Sequence, residues 1–246
     1  MRFDVMTLFP DMINAVTRVS ILGRAIEAGF IQVNTHNIRD YTNDKHRKTD
    51  DTPYGGGMGM LMTAQPIVDC YESFKAELSG NTRVIYMSPK GKTFNHEKAI
   101  ELSSYDNLVF LCGHYEGIDA RVEELIIDEH ISVGDFVLTG GEMPAAIIID
   151  AVSRLIPGVL PDKICFEDES IASGLLEYPQ YTKPYEYKGL KVPDVLIGGN
   201  HADIVSWRRK KALELTLKHR PDMLGKCKLS KEDILLLEEI ANENKR

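Results

Sequence analysis

Three short stretches of this sequence combine glycine with side chains able to hold a ligand: Ser88-Pro89-Lys90-Gly91, Gly113-His114-Tyr115-Glu116-Gly117 and Thr139-Gly140-Gly141. Glycine has no Cβ, so its backbone can wrap closely around a bound molecule and adopt conformations closed to other residues. With Tyr86, Tyr115 and Glu116 among them, the three stretches suit a pocket built from main-chain amides and carbonyls. Any one of them by itself reads better as an ordinary strand-to-helix turn. Three in succession favour the pocket. Diphosphate chemistry is disfavoured, because there is no GxxxxGK(S/T) loop. The tract Gly55-Gly56-Gly57-Met58-Gly59 fails GxGxxG, since Met60 occupies the last glycine position. It also follows a polar loop rather than a buried strand. A ligand with adenine or ribose but no phosphates fits better.

The elements that must position these stretches alternate strand with helix. Residues 1–10 read as a buried strand stopped by Pro10, followed by an amphipathic helix carrying Met12, Ile13, Val16 and Val19. A short helix over Ile21–Ala28 and a strand over Ile31–Ile38 come next. The polar stretch from Arg39 to Asp51, running on to Met60, predicts a long loop of the kind that is usually functional or disordered. Helices are then expected over Ala64–Leu78, Asn95–Ser103 and Ala120–Ile127, and strands over Arg83–Ser88, Asn107–Cys112 and His130–Leu138. The last helix of the series has Pro144 in its first turn and halts at Pro157. This pattern predicts an α/β fold, a mostly parallel sheet with helices on both faces. In such sheets, ligands bind beyond the carboxyl ends of the strands, where the three stretches lie. After a Pro-, Gly- and acid-rich segment near Pro157–Asp168, the chain is polar to about Asn200 and mainly helical from Asp203.

Composition narrows the class. The chain has 246 residues, 43% hydrophobic and 27% charged, which excludes coiled coil, collagen and disorder. The longest apolar run, Ala145 to Ile149, is far short of the roughly 20 residues that span a bilayer, so no membrane partner is expected. Cys70, Cys112, Cys165 and Cys227 are scattered, without the spacing of a zinc site or a disulfide framework, and a reducing cytoplasm is the expected location. The net charge of −8 argues against a protein that coats nucleic acid indiscriminately. Cations do concentrate locally, in Lys45-His46-Arg47-Lys48 and from Trp207-Arg208-Arg209-Lys210-Lys211 to Arg220. These could clamp an RNA stem, or could simply be solvated faces.

Seven motifs in order give the chain a family likeness. They are Pro53 to Met60, Tyr86-Met87-Ser88-Pro89, Cys112 to Asp119, Ser132 to Glu142, Ser153 to Leu160, Gly174 to Pro184 and Gly199 to Ile204. Together they resemble the bacterial tRNA (guanine-N1)-methyltransferases, from Phe3 to about Leu224. The resemblance implies a SPOUT-class enzyme with a trefoil knot. It would transfer methyl from S-adenosylmethionine to N1 of guanosine 37 of tRNA, beside the anticodon. It also implies a homodimer with shared active sites and a requirement for Mg2+, for which no ligand residue is nominated. The implied organisation is a methyltransferase domain over 1–160, a linker over 161–172 and a small, mainly helical tRNA-binding domain over 173–246.

Carried over residue by residue, the resemblance assigns cofactor binding to the three loops. The residues are Tyr86, Met87, Ser88 and Pro89; Gly113, Tyr115, Glu116 and Gly117; Val133, Gly134, Asp135, Phe136, Val137 and Leu138; and Gly140, Gly141 and Pro144. Guanine N1 carries a proton at neutral pH, so methylation needs a base there and a cation or donors for the charge developing on O6. The resemblance gives the base to Glu169, with Asp168 as the alternative, and the O6 or phosphate contact to Arg154. Taken alone, Glu167-Asp168-Glu169 is a solvated acidic linker, and Arg154 is the i+4 partner of Asp150. Two departures bear on tRNA affinity. His114 stands where many relatives carry Arg, which would make an RNA contact weaker or pH-dependent. Lys183 replaces a frequent Arg and would offer a point charge instead of a bidentate fork.

Overall fold

The structure is a computed structural model that describes residues 1–161 and 170–243. The chain divides into two compact units, Met1–Asp162 and Lys163–Arg246. The expected linker falls mostly on residues 162–169, so that segment, with Asp168 and Glu169, lies outside the described residues.

In the first unit, β1 (Arg2–Thr7) leads through α1 (Pro10–Thr17) and α2 (Ser20–Glu27) to β2 (Gln32–Asn37). A 3-10 turn at Ile38–Tyr41 and the two-residue strands β3 (Asp50–Asp51) and β4 (Leu61–Met62) follow. Then come α3 (Ala64–Lys75), β5 (Thr82–Thr93), α4 (His96–Leu102), β6 (Asn107–Cys112), α5 (Ala120–Ile126), β7 (Glu129–Ser132) and α6 (Glu142–Ser153). The main sheet has the order β2-β1-β6-β5-β7, and every neighbouring pair is parallel. Both faces are covered. Phe3, Val5, Ile85, Leu108 and Phe110 pack with Ile148, Ile149 and Val152 of α6 on one side. Met6, Val84, Val109 and Leu111 meet Ile67, Cys70 and Phe74 of α3 and Val122 of α5 on the other. Double burial is why these strands read as continuous apolar runs rather than as alternation.

Asp4 is the exception inside β1. Its buried carboxylate accepts from Arg2 Nε at 2.7 Å and Asn34 Nδ2 at 3.1 Å, and meets His36 Nε2 at 2.8 Å. Burial pushes its pKa up, but the bonds from His36, Arg2 and Asn34 outweigh burial and hold it below the usual carboxylate value.

Two strands depart from expectation at the ends that matter. The strand predicted to stop at Ser88 leaves the ladder there but returns, and both Met87 and Lys92 pair with Ile131. Residues 88–91 bulge out between these pairs. Pro89 cannot donate to a ladder, and a Cβ on Gly91 would overlap the His130 backbone. The strand predicted over His130–Leu138 ends at Ser132 instead. There Ser132 Oγ accepts the Gly134 amide at 3.2 Å, and Gly134 takes a φ of +153°. The apolar residues Val133 and Phe136 to Leu138, which mimic a strand, therefore form a loop. The predicted long loop from Arg39 to Met60 is also partly ordered, by the 3-10 turn and the β3–β4 pair.

The second unit has a β8 (Glu186–Tyr187) and β9 (Leu190–Lys191) hairpin, α7 (His201–His219), α8 (Pro221–Leu224) and α9 (Lys231–Glu243). Leu175, Ala212, Leu213 and Ile240 form its small core. Buried Asp233 receives Arg209 Nε and Nη2 at 2.7 and 2.8 Å. It also accepts the Ser230 amide at 2.8 Å, while Ser230 Oγ accepts the Asp233 amide at 3.1 Å. This reciprocal pair satisfies orphan donors at the start of α9.

Candidate active site

A cavity of about 240 Å3 opens at the bulge of β5 and beyond the carboxyl ends of β6 and β7. Its wall contains the nominated residues of all three loops: Tyr86 to Pro89, Gly113 with Tyr115 to Gly117, Val133, Gly134, Phe136 to Leu138, Gly140, Gly141 and Pro144. Asp135 alone of the nominated pocket residues is not in that wall. His114, Ile131, Ser132 and Thr139 are in it without having been nominated. The volume is below the roughly 300–1,000 Å3 of common ligand pockets. No Lys side chain or Arg side chain faces it among the described residues, which suits a ligand without phosphates.

Main-chain packing fixes the shape of this wall. The Gly141 amide donates to the Gly113 carbonyl at 3.1 Å, and a Cβ on Gly141 would lie 2.6 Å from Cys112 Cα. A Cβ on Gly113 would lie 2.8 Å from the Tyr86 hydroxyl oxygen and 3.0 Å from its ring. Tyr115 holds a left-handed φ of 58°, and the Gly117 amide closes the turn onto the His114 carbonyl at 3.1 Å. Such conformations cost energy in a non-glycine residue and cluster at ligand sites. Burial, and secondarily the charge of Glu123, push the Tyr86 phenol up to about 12. It therefore stays protonated and can donate.

The glycine tract, which the sequence leaves without a role, is tied to the same wall. Gly55, Gly56, Gly57 and Gly59 all have positive φ, from 79° to 136°. Past them, the Met60 carbonyl accepts the Glu116 amide at 3.0 Å, and the Met62 amide donates to the Gly117 carbonyl at 2.9 Å. A Cβ on Gly59 would lie 2.8 Å from Glu116 Oε1. Four glycines within five positions were a signal that close backbone approach was needed.

His114 is turned inward. Its Nε2 lies 2.8 Å from Glu142 Oε2, and its ring centroid is 4.8 Å from that of Phe9. The side chain, where many relatives carry Arg, is 16% exposed. Glu142 itself is buried, and sequence reasoning passed over it, because an acid in the first turn of a helix needs no special explanation.

Arg154 caps the other end of α6. It is ten residues beyond Pro144, about 15 Å along a helix axis, further than one side chain extends. Glu169 lies outside the described residues, while its neighbour Ser170 accepts the Glu177 amide on Oγ at 2.9 Å.

The basic run of the second unit is largely neutralised. Arg209 pairs with Asp233, Lys210 with Glu239 and Glu243, Lys211 with Glu214, and Arg220 with Asp222. The exposed Arg208 lies over the Tyr178 ring, 4.8 Å from its centroid, and Trp207 is 6.4 Å from Tyr181. Lys183 is exposed. In the first unit Arg47 pairs with Asp40. Among the described residues, no group of three His, Cys, Asp or Glu is placed to hold a metal ion, and no helix is long and apolar enough to cross a membrane.

Comparison with known proteins adds an independent line. The profile of the family described as tRNA (Guanine-1)-methyltransferase TrmD matches residues 1–226. A tRNA (guanine-N(1)-)-methyltransferase of Geobacter sulfurreducens is 54% identical over 233 residues, 95% of each chain. One from Clostridium perfringens is 56% identical over 237 residues, 96% of this chain and 99% of its own. One from Alkaliphilus oremlandii is 53% identical over 248 residues, 99% of this chain and all of its own.

Proposed function

The chain belongs to the tRNA (guanine-1)-methyltransferase family, and from that premise we propose that it methylates guanosine 37 of tRNA, beside the anticodon. The transfer of methyl to guanine N1 of tRNA, with S-adenosylmethionine as donor, follows from the family. The observation that carries the rest is the cavity. It joins all three nominated loops, offers main-chain groups and a neutral Tyr86, and is lined by no Lys or Arg among the described residues.

S-adenosylmethionine, when bound, supplies a methyl group activated by its sulfonium. The chain's own work is at the acceptor. Glu169 takes the N1 proton, with Asp168 as the alternative, and a positioned base of this kind contributes about 10²–10⁴-fold. Arg154 holds the charge that develops on O6, worth about 10²–10³-fold. Both residues act as side chains, whereas the donor is held by backbone.

A homodimer with shared sites is part of the same reading. Two observations support it. Phe9, Met12 and Val16 of the α1 region and Met143 and Ile147 of α6 leave apolar side chains exposed on two helices that pack together, and Phe136, Val137 and Leu138 are exposed at the cavity. Arg154 is also a helix length from the cavity of its own chain, so a second copy is the natural source of that cation. A trefoil knot belongs to the same reading and rests on the family. The domain boundaries at 160 and 172, tRNA binding by the second unit through Arg208, Tyr178 and Trp207, and a cytoplasmic location complete the proposal. Mg2+ belongs to it too, carried by the tRNA or beside Glu169.

The experiment is methyl transfer from labelled S-adenosylmethionine to two tRNA transcripts that differ only in guanine or adenine at position 37. Label on the guanine transcript alone, mapped to N1, is expected. Equal labelling of both would overturn the position.

A further inference from the structure

A buried acidic residue against the cavity wall, Glu142, has no part in the chemistry above. We infer that Glu142 is a positioning residue for the donor pocket, acting through His114. The inference rests on reading the cavity as that pocket.

Glu142 is 1% exposed, and its two oxygens are committed in different directions. Oε1 accepts from Thr7 Oγ1 at 2.5 Å, and Oε2 meets His114 Nε2 at 2.8 Å. Thr7 Oγ1 in turn accepts the Phe9 amide at 2.8 Å. The Thr7 hydroxyl donates to Oε1, and the imidazole Nε2 shares a hydrogen bond with Oε2. The chain of bonds thus joins the end of β1, the first turn of α6 and the Gly113–Gly117 loop. These segments are distant in sequence, and two of them border the cavity.

His114 transmits the constraint. Its ring lies against Phe9, and a Cβ on Gly140 would strike its Nε2 edge. Its backbone carbonyl closes the turn containing Tyr115. Ring position therefore sets both the strained Tyr115 loop and the Gly140-Gly141 loop. A buried carboxylate is costly unless paired, and an apolar side chain would fill the same space at lower cost. The charge is explained if it locks this ring and not merely the core.

The test measures the Kd of S-adenosylhomocysteine by calorimetry, steady-state KM for donor and for tRNA, and melting temperature, in the full chain. Glu142→Gln keeps the shape but offers His114 a neutral acceptor. It is expected to weaken S-adenosylhomocysteine and raise donor KM about tenfold, the cost of one charge-assisted bond, with tRNA KM unchanged. His114→Ala should do the same, whereas His114→Gln, whose amide can still donate to Glu142, should stay within about threefold of wild type. The double variant Glu142→Gln/His114→Ala should be no worse than the poorer single. Lower melting temperatures with unchanged Kd would make the pair merely structural and overturn the inference. So would additive effects in the double variant. Failure of the wild-type chain to bind S-adenosylhomocysteine at all would remove the donor-pocket reading itself, a result distinct from the other two.

Discussion

The two units of this chain organise their key features by different means. In the first, the cavity wall is main chain against main chain, with Gly141 pressed on Cys112 and Gly113 under the Tyr86 ring. In the second, a small apolar core is supplemented by paired charges, of which Arg209 with Asp233 is the most buried. Main-chain contact fixes a shape to a few tenths of an ångström and tolerates no added atom. Charge pairing tolerates exchange of side chains but responds to pH and salt. A pocket for a small ligand needs the first property.

The largest expected effect tests whether the donor pocket and the acceptor chemistry separate as this contrast requires. Glu169→Gln should lower turnover by about 10²–10⁴-fold while S-adenosylmethionine affinity stays near wild type. Retained turnover there, with loss in Asp168→Asn, would move the base by one residue. Next, Gly113→Val should weaken donor binding by roughly a hundredfold in calorimetry, the scale of an overpacked core site, because its added carbons meet the Tyr86 ring. Unchanged affinity would break the claim that backbone shapes the pocket.

The second unit should respond oppositely. Asp233→Asn is expected to destabilise that unit by about 1–3 kcal/mol, seen as a lower transition in calorimetry, and to leave donor affinity unaltered. A fall in donor affinity would show that the two units are not independent in this respect. The smallest effect is with pH. The hydrogen bond from Arg209 holds Asp233 well below the ordinary carboxylate range, despite burial. A carboxyl lowered on folding adds stability that is complete above its unfolded pKa and is lost as pH falls through its folded value. The transition of the second unit should be flat above about pH 5 and decline toward acid, and Asp233→Asn should flatten the decline.

Much of the first unit was legible in the sequence, because a doubly covered parallel sheet imposes apolar runs bounded by Gly and Pro. The loops after Ser88, Cys112 and Leu138 stood out for the same reason. Loop boundaries were harder. Val133 to Leu138 is apolar enough to read as strand, yet it turns away at Gly134 to form part of the cavity wall. The bulge at residues 88–91 depends on two separate pairings with Ile131, a partner some forty positions away. In the second unit the run Arg208 to Lys211 read as a basic face. Three of its four cations proved to be paired, because their acids come from α9 or from one turn further along α7.

Residue order alone determined the alternation of strand with helix, the stretches that carry glycine, the absence of a phosphate loop and, through seven motifs, the family. These properties are local: they depend on backbone freedom, periodicity and neighbours within a few positions. Tertiary structure alone decided that Met60 and Met62 are bonded to the Glu116-Gly117 loop, that His114 faces inward to Glu142 and Thr7, and that the α7 cations are mostly spent on acids. Those facts join positions dozens of residues apart. Pairing at that range is set by which buried polar groups must find partners once the sheet has closed, and a sequence pattern carries no record of that choice.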